Sequence, residues 1–268
     1  MDIYEVLGYA GAFFTGLVLG LLGGGGAMLS IPVLVYLFRL DAAVATGYSL
    51  FLVGIAALSG TAQNIRKQLI DYKAALYYGV PSVVAVYVVR RFVIHSLPDV
   101  LFSIGSYEVD RNHFILFLFS IVMFGAAYKM ITDSNGEEKP LEDYSTNYFS
   151  LALYAAGTGA FLGFVGAGGG FLIAPALVYF ANLTMKKAIG TSLLLVAVNS
   201  FIGFAGDLSS NPYLDGRFLF LFSVFSVSGV FVGNYFSGFV NNRQLKKTFG
   251  WFILAAGVYI VVKETFLR

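Results

Sequence analysis

No cysteine occurs in the 268 residues, which excludes disulfides, thiolate metal sites and any persulfide relay. Charge is scarce as well: Asp, Glu, Lys and Arg make up 12% of the chain against 58% apolar residues, about half the charge of a soluble domain. Such a chain reads as a polytopic membrane protein with the lipid bilayer as its first partner. The two histidines stand far apart, and no carboxylate cluster offers oxygen ligands, so no metal and no cofactor is expected. A net charge of +2, with Lys and Arg in short clusters between apolar runs, gives no nucleic-acid footprint. The first residues, Met1 to Val6, hold two acids and no basic stretch, so the first apolar run is expected to stay in the mature protein rather than leave as a signal peptide.

Catalytic groupings are missing too. There is no Ser, His and Asp arrangement, no pair of intramembrane carboxylates and no metalloprotease motif, so the chain is not expected to be an enzyme. Gly166, Ala167, Gly168 opens like a dinucleotide fingerprint, but the third glycine, a preceding strand pattern and a following acid are absent, and no lysine completes a P-loop.

Glycine, by contrast, is abundant and is tied into two knots, Gly23 to Ala27 and Gly166 to Gly170. Each follows a long apolar run and precedes a short one that reaches a proline, Pro32 or Pro175. A constant shift of 143 positions superimposes Gly16 on Gly159, Gly25 on Gly168, Tyr36 on Tyr179, Gly47 on Gly190, Ser49 on Ser192 and Gly60 on Gly203. That is an internal duplication. It divides the chain into a first transmembrane repeat at 1–132, an acidic, polar linker at 133–147 and a second repeat at 148–268.

The first run, about Glu5 to Leu22, is long enough for a nearly complete crossing, and its Gly16 and Gly20 form a small-xxx-small packing pair. The next, Met28 to Phe38, reaches only about 16 Å at 1.5 Å per residue, half the hydrocarbon core. The knot between them is therefore expected inside the membrane, as the tip of a broken or re-entrant helix, where irregular backbone survives only if protein or a water-filled cavity surrounds it. A long helix, about Ala45 to Asn64, comes next, then a helix to about Val89 containing Pro81. Arg90 to Asn112 reads as a connection lying along the membrane surface, and Phe114 to Ile131 closes the half. The second half repeats the plan, with five elements. The tight basic loops, Arg66 with Lys67, Lys186 with Lys187 and Arg243 with Lys246 and Lys247, fall on one face, which is then cytoplasmic and leaves both termini outside. Three full crossings separate the knots, an odd number, so the second repeat is inverted. The expected fold is an all-α polytopic membrane protein of two inverted repeats, about five helical elements each, whose glycine-rich broken or re-entrant helices meet near mid-membrane. This is the architecture of a secondary transporter.

In that fold two short helices bring their unpaired N–H groups and positive dipole ends together in the interior. Gly24, Gly25, Gly26, Ala27, Gly168, Gly169 and Gly170 would let a small anionic substrate approach the backbone. Tyr48, Ser49, Thr191 and Ser192 match across the repeat and would add hydroxyls. The same glycines also suit tight packing, and the same hydroxyls suit helix ends. Asp207, its repeat counterpart Asn64, and Arg90 with Arg91 are the candidates for coupling or for attracting the anion.

The glycine-rich turns with Pro32 and Pro175, followed by Ala45, Gly47, Ser49 and by Ala188, Gly190, Thr191, Ser192, resemble the two sequence blocks of the sulfite exporter TauE/SafE family of integral membrane proteins. The resemblance covers nearly the whole chain. It implies a cell (cytoplasmic) membrane carrier for sulfite, sulfonates or related organosulfur anions, working by alternating access. The alternatives are a membrane enzyme acting on an anionic lipid headgroup and an anion channel. Nothing in the sequence fixes an oligomeric state.

Overall fold

A computed structural model describes residues 3–22, 27–94, 96, 98, 100–104, 107–132, 148–165, 170–208, 215–236 and 242–266. These form α1 (Ile3–Leu22), α2 (Ala27–Pro32) running on into a π-helical turn (Val33–Leu37), α3 (Ala42–Arg66), α4 (Tyr72–Val88) prolonged by a π-helical turn (Val89–Ile94), strands β1 (Val100–Ile104) and β2 (Tyr107–Asp110), and α5 (Arg111–Thr132). After the linker come α6 (Tyr148–Val165), α7 (Gly170–Phe180), α8 (Met185–Leu208), α9 (Gly216–Phe236) and α10 (Asn242–Phe266). Among the described residues, four stretches are long and apolar enough to cross a membrane: Val44–Arg66, Tyr72–Ile94, Lys186–Asp207 and Gly216–Phe236.

The expected surface connection from Arg90 to Asn112 is corrected by the structure. Its start belongs to the continuation of α4, and its middle is an antiparallel hairpin with Val100 opposite Asp110 and Ile104 opposite Tyr107. Valine and aromatic residues on both arms favour a pleated pair, and only Gly105 and Ser106 separate the arms in sequence, which suits a tight hairpin turn. Asp110 ends the hairpin and starts α5, its carboxylate accepting the His113 backbone N–H at 2.8 Å.

Both short helices stop in the same way. Arg39 and Asn182 adopt the left-handed conformation, with φ of 56° and 55°, and the next N–H turns back on the helix in each case, Leu40 to the Leu34 carbonyl and Leu183 to the Leu177 carbonyl, both at 3.2 Å. This is the left-handed stop of a helix whose last carbonyls need donors. The long central helices α3 and α8 follow at once.

Packing runs across the two halves. Helix α1 lies on α9 and α6 lies on α4; α3 packs on α8 at the centre, and α5 on α10. The buried face of α9, Leu219, Phe222, Ser223, Ser226, Gly229, Val230 and Gly233, has helical spacing. That of α4 comprises Ala74, Tyr78, Gly79, Ser82 and Val86. Both faces carry small residues, and the partner helix meets them with glycine: a Cβ at Gly159 would stand 2.5 Å from the Ser82 carbonyl oxygen, and one at Gly20 would stand 2.5 Å from that of Val230. Large apolar side chains such as Leu76, Val80, Val84, Phe220 and Phe231 point outward instead. In lipid, apolar burial does not drive helices together, so close backbone approach between small residues takes over.

Candidate functional site

Gly23–Gly26 and Gly166–Gly169 lie outside the described residues, so Gly24, Gly25, Gly26, Gly168 and Gly169 are approached only from the far side, where Ala27 opens α2 and Gly170 opens α7. One turn into α2, Ser30 Oγ accepts a hydrogen bond from Ser49 Oγ at 2.9 Å, and both residues are fully buried. Ser49 therefore holds α3 against the helix that leaves the first knot. Its repeat counterpart Ser192 donates to the Ile189 carbonyl of its own helix at 2.9 Å. The position equivalent to Ser30 is Ile173, so this second tie is not built.

Tyr48 and Thr191 act as a matched pair. The Tyr48 hydroxyl accepts the backbone N–H of Asp215 at 3.0 Å, and Thr191 Oγ1 accepts that of Asp71 at 2.9 Å. Each aspartate caps the helix after it: Asp71 accepts from the Ala74 N–H at 2.9 Å, and Asp215 from the Phe218 N–H at 3.1 Å. Thus α3 is strapped to the start of α9 and α8 to the start of α4, each by a hydroxyl that directly follows a glycine, Gly47 or Gly190.

An ion pair stands at the end of the bundle where α3 begins and α8 finishes. Arg90, in the π-helical turn after α4, is only 1% exposed, and its Nη1 donates to Asp207 Oδ2 at 2.9 Å and to Thr46 Oγ1 at 3.2 Å. The sequence reading placed Arg90 at the membrane surface; the structure buries it, because Asp207, which is 117 positions away, arrives on α8. Two glycines make room. A Cβ at Gly47 would lie 2.9 Å from Asp207 Oδ2, and one at Gly206 would lie 3.0 Å from the Arg90 Cβ. Arg91 is exposed, and Asn64, at the opposite end of α3, donates to the Gly60 carbonyl at 2.9 Å. Taking both ions out of water costs several kcal/mol per ion before their attraction offsets it. Buried pairs of this kind in a membrane protein mark functional positions by default.

Sequence reasoning did not single out Asn199, which donates from Nδ2 to Ser82 Oγ at 2.7 Å between α8 and α4, or the Tyr78 and Thr158 hydroxyls, which meet at 2.6 Å between α4 and α6. Their signal was the small-residue face they share, since Ser82 and Gly159 sit at the same crossing. Thr46 was visible only as one of many polar groups in α3.

A sequence profile described as Sulfite exporter TauE/SafE matches residues 9–260. A probable membrane transporter protein of Xylella fastidiosa (strain 9a5c) is 26% identical over 253 residues, covering 92% of this chain and 91% of its own length. The probable membrane transporter protein YunE of Bacillus subtilis (strain 168) is 25% identical over 254 residues, covering 87% of each chain. No solved structure matches the chain. With a family match over residues 9–260 and, among the described residues, four helices long and apolar enough to span a bilayer, the chain belongs to the sulfite exporter TauE/SafE family of membrane transporters.

Proposed function

We propose that the protein is a secondary transporter exporting a small sulfur-containing anion, sulfite, a sulfonate or a related organosulfur acid, by alternating access. The transport units are two inverted repeats, residues 1–132 and 148–268, joined by the linker 133–147. They sit in the cell membrane with both termini outside.

The observation that carries this reading is the exchange of partners between the halves. By the repeat, α1 corresponds to α6 and α4 to α9, so the α1–α9 contact and the α6–α4 contact are equivalents. The straps repeat this relation, Tyr48 to Asp215 and Thr191 to Asp71. Two equivalent bundles, each containing helices of both halves, can rock against one another about α3 and α8, which is how repeat-built carriers open alternately to each side. The anion binds between the two glycine turns, with Ser49 and Ser192 on the helices behind them and the Arg90 guanidinium near the start of α3.

Liposomes loaded with unlabelled sulfite or methanesulfonate and carrying the purified protein should accumulate the labelled anion by counterflow. Gly26→Val and Gly169→Val should weaken anion binding by about ten- to a hundredfold, the equivalent of losing one amide contact to a charged ligand at about 1.5–3 kcal/mol. Discrete single-channel currents would refute the carrier, and counterflow that ignored both knot substitutions in folded protein would refute the amide site.

A further inference from the structure

Among the described residues Arg90 is the only buried Lys, Arg, Asp or Glu. Asp207 corresponds to Asn64 at the 143-residue shift, and Arg90 corresponds to Asn234 at the shift of 144 that also relates Asp71 to Asp215 and Ser82 to Ser226. At the equivalent stations of the repeat the sequence therefore holds two asparagines where this station holds two opposite charges. Asp207 is the more exposed of the two side chains, 13% against 1% for Arg90, although its Oδ1 is itself buried.

Resting on the carrier reading above, we propose that the transported anion takes the place of Asp207 on the Arg90 guanidinium, and that Asp207 accepts a proton as it yields, so that anion and proton move together. A sulfonate or sulfite presents two oxygens to the guanidinium fork as a carboxylate does. With the anion in place and Asp207 still ionised, the site would hold one uncompensated negative charge away from water, which is strongly disfavoured. A proton taken from water onto the Asp207 carboxylate removes it. After the anion leaves on the other side, the proton returns to water there and the carboxylate closes again on Arg90. Thr46 Oγ1 keeps its hold on the guanidinium during the exchange.

The charged residues on the elements around the pair are few. Arg91, on the same turn, and Arg39 and Asp41, ahead of α3, are exposed; α6 brings Gly163 against Val89; on α8 the remaining charges, Lys186 and Lys187, lie at the far end. For a singly charged anion the cycle then moves no net charge, and export runs down the anion's own gradient with the proton as companion.

The test uses methanesulfonate, the anion of a strong acid, so that any proton accompanying it rides on the protein. Proteoliposomes holding a trapped pH dye and a potassium-and-valinomycin potential are given an outward methanesulfonate gradient. In the native protein, efflux should raise the internal pH, one proton per anion, and should not respond to the potential. Asp207→Asn should still exchange methanesulfonate, but its net efflux should follow the potential without moving protons, and Arg90→Gln should lose exchange. Thermal unfolding of each variant checks that it folds; where one does not, the native proton and potential measurements decide alone. Native efflux driven by the potential without a pH change, or wild-type exchange in folded Arg90→Gln, overturns the coupling and leaves the carrier standing. Native protein that exchanges neither methanesulfonate nor sulfite overturns both.

Discussion

Gly157 and Gly159 are two residues apart in α6, and the structure gives them opposite consequences. A Cβ at Gly157 meets nothing within 4 Å, whereas one at Gly159 would stand 2.5 Å from the Ser82 carbonyl oxygen and 2.7 Å from the Ser82 Cα. Carbon contacts are best at roughly 3.5–4.0 Å, so Gly159→Ala forces α6 and α4 apart by about 1 Å. Backbone cannot swing aside as a side-chain end can, and overpacking of this kind costs about 1–3 kcal/mol. The separation also loosens the Tyr78 and Thr158 hydroxyl contact one turn away. At Gly157 the methyl group costs nothing, and the better helix former should gain about 0.5–1 kcal/mol. The two substitutions, identical in chemistry, should thus differ by about 1.5–4 kcal/mol. Unfolding of detergent-solubilised protein by sodium dodecyl sulfate, followed by circular dichroism, measures the difference. Equal stability of the two variants would refute the account of α6 on α4 as a glycine-mediated backbone contact, and with it the reading of Gly16 against the Ser226 backbone, where Gly16→Ala should behave like Gly159→Ala.

Tyr48→Phe and Thr191→Val each remove the acceptor of an N-cap N–H and should each cost about 1–3 kcal/mol; amide exchange should quicken at Asp215 in the first and at Asp71 in the second, and exchange that quickened at neither would show that the straps carry no strain. Ser200 is fully buried, and its Oγ has no partner among the described residues, so Ser200→Ala should be neutral or stabilise by about 1 kcal/mol in the same unfolding assay. A clear loss there would mean that the hydroxyl has a partner. Gly47→Ala should press on Asp207 Oδ2 and weaken the ion pair; a matching loss of thermal stability in Gly47→Ala and Asp207→Asn, with no further loss in the double variant, is the expected outcome, and additive losses would deny the contact.

Membrane residence, helical class and family were legible in the chain because each depends on local quantities. Low charge and long apolar runs choose lipid over water wherever the segments later meet. The 143-residue shift anticipated more than it was asked to: α2 begins at Ala27 and α7 at Gly170, α3 at Ala42 and α8 at Met185, each pair separated by that shift. The hairpin at Val100–Asp110 was hidden by its surroundings, since short amphipathic strands and an interfacial segment share the same mixture of charged and apolar residues.

What the sequence by itself determined is the set of helices, their doubling and the place of the glycines, because spacing and composition act through neighbours along the chain. It also supplied Tyr48, Thr191, Asp207 and Arg90 as names without partners. Only the tertiary structure decided that Tyr48 accepts from Asp215 and Thr191 from Asp71, and that Arg90 is buried against Asp207 rather than drawn to the surface. Those contacts join residues more than a hundred positions apart, and the ion pair forms only when α8 packs on both α3 and α4, so that a charge leaving water finds its opposite already there.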